Sequence, residues 1–279
     1  MQHSTYAWKQ QAGQSIFAQR WTGTDTPRGI MLVIHGQSDH SNRFVTLATH
    51  FAASGYAVYA ADLIGHGQSG GNRGHMLRFE EYLETVDALL DLATQEFPGL
   101  PVFLYGQSMG GNVVINYAFR QNGKVQAYIA SSPWIRLAFE PPAWKVWLGK
   151  TVKSIYPALA QPTGLNTKHL ARDPEIVRTY EQDPLVHGKI TASAFFETLQ
   201  AGLRIPEQAT KLDRPMLIMH GTGDQLTSHR ASQAFAALRT DLITFIPFEG
   251  WYHELHNEPE KQIIFDTIAR FMQKQISNG

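Results

Sequence analysis

One short stretch limits the fold more than any other. Gly106-Gln107-Ser108-Met109-Gly110 follows an apolar run at 101–105 and leads into a helical pattern over 111–118. That order predicts strand, sharp turn, helix. A serine at the apex of such a turn sits on strained backbone, and the flanking glycines let strand and helix pass without a Cβ clash. The hydroxyl is presented at a strand end with a helix N-terminus behind it. G-x-S-x-G alone arises by chance; its strand–turn–helix context makes it specific.

A serine hydroxyl is a weak nucleophile near neutral pH. It needs an adjacent base, itself held by a third group. In chains with such an elbow the acid comes next in sequence and the histidine last. Residues 214–220 read as a buried strand that ends in Gly221-Thr222-Gly223-Asp224. A second strand at 242–246 runs into Pro247-Phe248-Glu249-Gly250-Trp251-Tyr252-His253, ahead of a final helix from Pro259 to about Gln275. Both candidate residues follow strand C-termini, where open parallel sheets build their sites. The expected assignment is Ser108 as nucleophile, His253 as general base and then acid, and Asp224 as the orienting carboxylate. Asp224 could instead cap its turn. Asp213 and Asp241 precede strands, at the wrong end of the sheet. Glu249 and Glu254 read as surface charges, and His256 already approaches the helix.

Acyl transfer also needs donors for an oxyanion. One is expected at the backbone N–H of Met109. The other is expected at Gln37, after the apolar strand 29–34 and His35-Gly36. His35 itself reads as a buried structural histidine.

From 29 to 131 strands and helices alternate. Strands are expected near 30–35, 56–61, 101–106 and 125–130, and helices near 42–53, 79–97 and 109–121. Residues 4–21 suggest an antiparallel hairpin turning near Ala12-Gly13. The alternation implies an α/β chain with a mostly parallel, doubly wound sheet. It is broken over 133–206 by prolines and short helical patterns with no convincing strand, then resumes. The expected domains are a core of 1–132 and 207–279 and an inserted helical cap, or lid, of 133–206. Within it, residues 143–160 place Trp144, Trp147, Leu148, Val152, Ile155 and Leu159 near helical spacing, with Lys145, Lys150 and Lys153 mostly elsewhere. This reads either as a lid touching lipid or as a cap helix packing on its own domain.

Composition excludes several classes. With 24 basic and 24 acidic residues, nothing favours nucleic acid. No cysteine is available for a disulfide or thiolate ligand. No N-terminal signal pattern and no apolar run long enough to span a bilayer is present, so a soluble, cytoplasmic protein is the default expectation. Gly65-His66-Gly67-Gln68-Ser69-Gly70 matches a dinucleotide fingerprint, but another loop intervenes before the helix. His253-Glu254-Leu255-His256 is one residue short of a zinc-protease motif. No cofactor or metal is therefore expected, and no pattern sets an oligomeric state.

Taken together, the chain resembles the monoacylglycerol lipase and lysophospholipase branch of the α/β hydrolases. The resemblance covers nearly the whole chain. It rests on His35-Gly36-x-x-x-His40, Asp62-x-x-Gly65-His66-Gly67-x-Ser69, Gly106-x-Ser108-Met109-Gly110-Gly111, Gly221-x-x-Asp224, Tyr252-His253 with Leu255-His256, and Tyr180-x-x-Asp183-Pro184-Leu185. It implies the α/β-hydrolase fold and a serine ester hydrolase acting on a lipid-like ester, with monoacylglycerol first. It also implies that Asp39, Arg43 and Tyr180 hold the glycerol end; otherwise they would serve as a helix cap, a surface ion pair and cap packing. The residue before the nucleophile is usually histidine in this family and is Gln107 here. Glutamine hydrogen-bonds but does not titrate, which bears on the glycerol hydroxyls and leaves the triad untouched. A lysophospholipase or short-chain carboxylesterase would share the chemistry. A binding protein on a hydrolase scaffold is the reading from a different class. Transient contact with a membrane surface goes with the lipid-touching reading of the cap.

Overall fold

A computed structural model describes residues 1–10, 13–139 and 153–277. Ten strands are found there: β1 (Gln2–Lys9), β2 (Ser15–Thr22), β3 (Gly29–Ile34), β4 (Tyr56–Ala61), β5 (Val102–Gln107), β6 (Ala127–Ser131), β7 (Ala160–Pro162), β8 (Lys189–Thr191), β9 (Met216–Gly221) and β10 (Ile243–Phe248). Seven helices accompany them: α1 (Val45–Ala53), α2 (Glu80–Glu96), α3 (Met109–Ala118), α4 (Pro174–Gln182), α5 (Ala192–Arg204), α6 (His229–Ala236) and α7 (Lys261–Ser277).

Eight strands form one sheet in the order β1-β2-β4-β3-β5-β6-β9-β10. The expected hairpin is present, with Gln2 opposite Thr22 and Lys9 opposite Ser15. It attaches antiparallel to β4, and every pairing from β4 to β10 is parallel. This is the α/β-hydrolase fold. Parallel strands are covered on both faces, so the inner ones read as unbroken apolar runs. Every residue of β3, β4, β5, β6 and β9 is buried, whereas the edge strand β1 alternates.

Period-two alternation splits each inner strand between two cores. Ile30, Leu32 and Ile34 pack with Val86 and Leu89 of α2 and Val113 and Val114 of α3. Met31 and Val33 pack with Leu47 and Phe51 of α1 and Ile264 and Ile268 of α7. All the parallel strands therefore end on one edge of the sheet, and that edge carries the site.

Two expectations need correction. The helix expected over 42–53 opens as a 3-10 turn, Ser41–Phe44, before α1. The segment 133–206, expected to hold no strand, contains the antiparallel ribbon β7–β8. Its strands have three residues each and β7 is wholly exposed, so no hydrophobic alternation announces them. Among its described residues the segment also holds a 3-10 turn, Thr167–His169, and the helices α4 and α5. Asp173 caps α4 through the N–H of Glu175 with Pro174 at the first helical position, and Thr191 caps α5 through the N–H of Ala194. Of the helix expected over 143–160, Ile155 and Leu159 are exposed. Its Trp144, Lys145, Trp147, Leu148, Lys150 and Val152 lie outside the described residues, as does Ala12 of the hairpin turn.

Candidate active site

Ser108 follows β5 directly and has φ 56° and ψ −117°. A side-chain-bearing residue there pays roughly 1–3 kcal/mol, supplied by the surrounding structure. Three backbone hydrogen bonds hold it: Ser108 N–H to Ser131 O at 3.0 Å, and Asn112 N–H and Trp134 N–H to Ser108 O at 3.1 and 2.9 Å. A Cβ on Gly106 would strike the carbonyl of Gly110, and one on Gly110 would strike that of Ile34. These contacts explain both glycines of the motif: the helix turns back against β5, which launched it, and its first turn crosses close to the end of β3.

The other two candidates meet at one carboxylate. His253 Nδ1 lies 2.7 Å from Asp224 Oδ2. Asp224 also accepts from the N–H groups of Leu226 (2.7 Å) and Thr227 (3.1 Å) on Oδ1, and from the Thr227 hydroxyl (2.9 Å) and His220 Nε2 (3.0 Å) on Oδ2. Burial disfavours its charge, but His253 and His220 outweigh burial and hold the carboxyl well below the usual range. An ionised carboxylate only accepts, so His253 carries its proton on Nδ1 and Nε2 is the basic nitrogen. Burial likewise opposes the His253 charge. The carboxylates of Asp224, Glu254 and Asp39 more than offset it, and the imidazole is raised above 6.5.

The competitors fall elsewhere. His256 stacks on Phe44 with ring centroids 4.4 Å apart, and burial lowers it to about 4. Asp213 precedes β9, and Asp241 precedes β10 and pairs with Arg239. His35 is structural: Nδ1 donates to Gly36 O (2.7 Å) and Nε2 accepts from Leu63 N–H (2.8 Å), which burial keeps neutral at about 4.

The expected donors flank the serine. Met109 opens α3, so its N–H has no intrahelical acceptor. The loop after β3 passes close by, since a Cβ on Gly36 would lie 3.2 Å from Ser108 Cβ. Gln37 follows, tied through Nε2 to Lys189 O on β8 (3.2 Å).

Ser108, His253 and Gln37 line one cavity of about 260 Å³. Trp134, Leu137, Leu165, Leu170, Ile190, Phe195 and Leu226 give it apolar walls, most of them from the segment between β6 and β9. Asp39, Tyr180 and Glu254 lie at its polar end. Arg43, expected beside them, is not among the lining residues. It sits behind, 2.9 Å from Asp39 Oδ1 and 2.6 Å from Glu254 Oε2, with its guanidinium 4.7 Å from the Tyr180 ring centroid.

Glu254, beside His253, does not lie at the surface. It is 2% exposed rather than a surface charge. Burial opposes its charge, but Arg43 and His256 outweigh burial and lower its carboxyl. Asp39 is different. Burial pushes it up, Arg43 pulls it back, Glu254 adds to the rise, and it stands at about 6. Among the described residues, Asp39 Oδ2 and Gln107 Nε2 are buried without a hydrogen-bond partner. His220 was also passed over. The signal was a histidine inside a fully buried strand, where both ring nitrogens must be satisfied.

The G-x-G-x-x-G stretch is a structural knot rather than a phosphate cradle. Asp62 accepts from Ser41 N–H and Gln68 N–H, both at 2.7 Å, and Ser69 Oγ donates to Asp62 O at 2.5 Å. Among the described residues no cluster of three or more metal-ligating side chains occurs. No helix there is long and apolar enough to cross a membrane.

A family profile described as serine aminopeptidase, S33, matches residues 25–260. The chain belongs to that family of α/β hydrolases. Within it, the chain falls in the monoacylglycerol lipase group, and it is a serine hydrolase of lipase or esterase type. A monoacylglycerol lipase of Mycolicibacterium smegmatis is 32% identical over 262 residues, 93% of either chain. A phospholipase of Bacillus subtilis is 31% identical over 261 residues, 92% of this chain and all of the other. The crystal structure of Paleococcus ferrophilus monoacylglycerol lipase matches 95% of this S33 hydrolase and 99% of its own chain, at 31% identity and a TM-score of 0.85.

Proposed function

We propose that this hydrolase cleaves monoacylglycerols to fatty acid and glycerol through Ser108, His253 and Asp224. The observation that carries the reading is the 2.7 Å contact from His253 Nδ1 to a fully satisfied Asp224, beside a strained Ser108 on the same cavity.

Ser108 Oγ attacks the ester carbonyl as its proton passes to His253 Nε2. The N–H groups of Met109 and Gln37 receive the oxyanion. Collapse breaks the ester C–O bond, and His253 gives its proton to the departing glycerol oxygen. A water then loses a proton to His253 and attacks the acyl-serine, releasing fatty acid and restoring the Ser108 hydroxyl. Each lost oxyanion donor costs about 3–4 kcal/mol of transition-state stabilisation.

Segment 133–206 acts as the cap, and its apolar residues cover one acyl chain. A 260 Å³ cavity lies near the lower end of ligand sites, which favours a single-chain lipid. The glycerol end lies at Asp39, Glu254 and Tyr180. Asp39 Oδ2 and Gln107 Nε2 supply an acceptor and a donor suited to hydroxyls. Arg43 acts from behind by holding the two carboxylates. A lysophospholipid phosphate would meet those carboxylates, which disfavours the lysophospholipase reading. Exposed Phe139, Ile155, Tyr156 and Leu159 on the cap supply an apolar surface for transient membrane contact.

The test is Ser108→Ala on a 1-monoacylglycerol, with fluorophosphonate labelling. Turnover should fall about a millionfold and the label should be lost. Near-normal hydrolysis by the variant would sink the mechanism. Absence of label on the wild type would favour a non-catalytic binding protein.

A further inference from the structure

We infer that His220 is a positioning residue for this site, fixing the carboxylate that orients His253. The inference rests on the triad reading above. His220 is the fifth residue of β9 and is wholly buried. Its Nε2 lies 3.0 Å from Asp224 Oδ2 and its Nδ1 lies 2.8 Å from Ser232 Oγ on α6. Because the carboxylate only accepts, Nε2 carries the proton and donates. With Nε2 donating, Nδ1 is left to accept from the Ser232 hydroxyl, so Ser232 fixes the tautomer. A line of side chains runs Ser232, His220, Asp224, His253 toward Ser108.

The position explains why a histidine stands in an otherwise apolar strand. Leucine would fill the space and avoid burying two polar nitrogens. Both nitrogens are instead used, and one of them shares the oxygen that receives His253 Nδ1–H. His220 therefore limits the rotation of Asp224 and draws off part of its negative charge. Three titratable groups face this line. His229 of α6 meets His220 edge-on at 5.8 Å between ring centroids, and Glu254 and Asp39 act on His253 from the polar end. None of them lies between His220 and Asp224.

Without the His220 donor, Asp224 pulls harder on the His253 proton and is less well aimed. His220→Leu should then lower kcat while leaving KM alone, and should move the acid limb of the pH profile to higher pH. The experiment uses the full chain with a 1-monoacylglycerol, and counts active sites by fluorophosphonate titration so that unfolded protein drops out. We expect kcat per titrated site to fall about 10–100-fold in His220→Leu, with KM within about twofold. His220→Gln can place an amide N–H near the same oxygen and should restore most of the rate. Ser232→Ala loosens the tautomer and should give a smaller loss, with the limb moved the same way. A labelled His220→Leu whose per-site kcat stays within about twofold and whose acid limb does not move overturns the inference. If that variant does not fold, a Ser232→Ala with unchanged rate and limb overturns it. Wild-type protein that takes no label overturns the triad reading and this inference with it.

Discussion

Asp224 and Asp39 are both buried aspartates on loops after parallel strands, and they are held in opposite ways. Asp224 is met by five donors that fill both oxygens, and its carboxyl lies well below the usual range. Asp39 has one oxygen shared between Arg43 and the His40 N–H and another with no partner, and it stands at about 6. Under the proposed function the carboxylate that orients His253 is the one kept charged and immobile, and the carboxylate that meets the glycerol is the one that keeps an acceptor free.

The largest break in that contrast should come from Asp224→Asn. The amide cannot hold His253 in the right tautomer, and kcat should fall about ten-thousandfold with the fold retained. Steady-state kinetics with matched circular dichroism would check this. A loss below about tenfold would mean that Asp224 is structural only.

Stability should separate the two sites by sign. The Asp39 pKa is raised on folding, so its contribution is fully present below the unfolded value and is lost as pH rises through about 6. Asp39→Asn removes that loss. Its stability relative to wild type should grow by roughly 2–3 kcal/mol between pH 4 and pH 7, read from denaturant midpoints. The Asp224 pKa is lowered on folding, so its contribution is present above the unfolded value and falls away in acid. Asp224→Asn should therefore lose stability against wild type as pH rises from strong acid to about 4, and change little from pH 4 to pH 7. Two curves of the same sign would break the comparison.

Substrate binding gives a smaller effect. Asp39→Asn should raise KM for a monoacylglycerol about tenfold with kcat within about threefold, the size of one good hydrogen bond. A short-chain p-nitrophenyl ester, which lacks the glycerol, should keep its KM, with only the small shift of the acid limb to lower pH that loss of the Asp39 charge gives to His253. Equal losses on both substrates would remove Asp39 from headgroup recognition.

The smallest effect is electrostatic. Glu254→Gln removes a charge that raises His253, so the acid limb of kcat/KM should move to lower pH, by less than about one unit. It also frees Arg43 to pair with Asp39 alone, which should lower Asp39. An unmoved limb would mean that Arg43 already screens Glu254 from His253.

The sequence carried the sheet and the elbow because their signals are local. Residues 101–118 encode a strand, a turn and a helix side by side, and 29–34 and 216–219 are continuous apolar runs. That Asp224 and His253 would meet was legible from chain order and from both lying past strand ends. Glu254 was not, because its burial is decided by Arg43, 211 residues away in sequence. The family resemblance implies that Arg43 touches substrate, whereas Arg43 is not among the residues lining the cavity and pairs with Asp39 and Glu254. The β7–β8 ribbon left no trace because its strands have only three residues each and β7 is exposed throughout. His220 was hidden by the apolar run around it.

The most direct test of the account compares kcat/KM on a 1-monoacylglycerol and on lysophosphatidic acid with the same acyl chain, with Ser108→Ala as the blank. The account predicts Ser108-dependent hydrolysis with a strong preference for the neutral glycerol head. Equal rates, or a preference for the phosphate, would contradict the polar end assigned to Asp39 and Glu254.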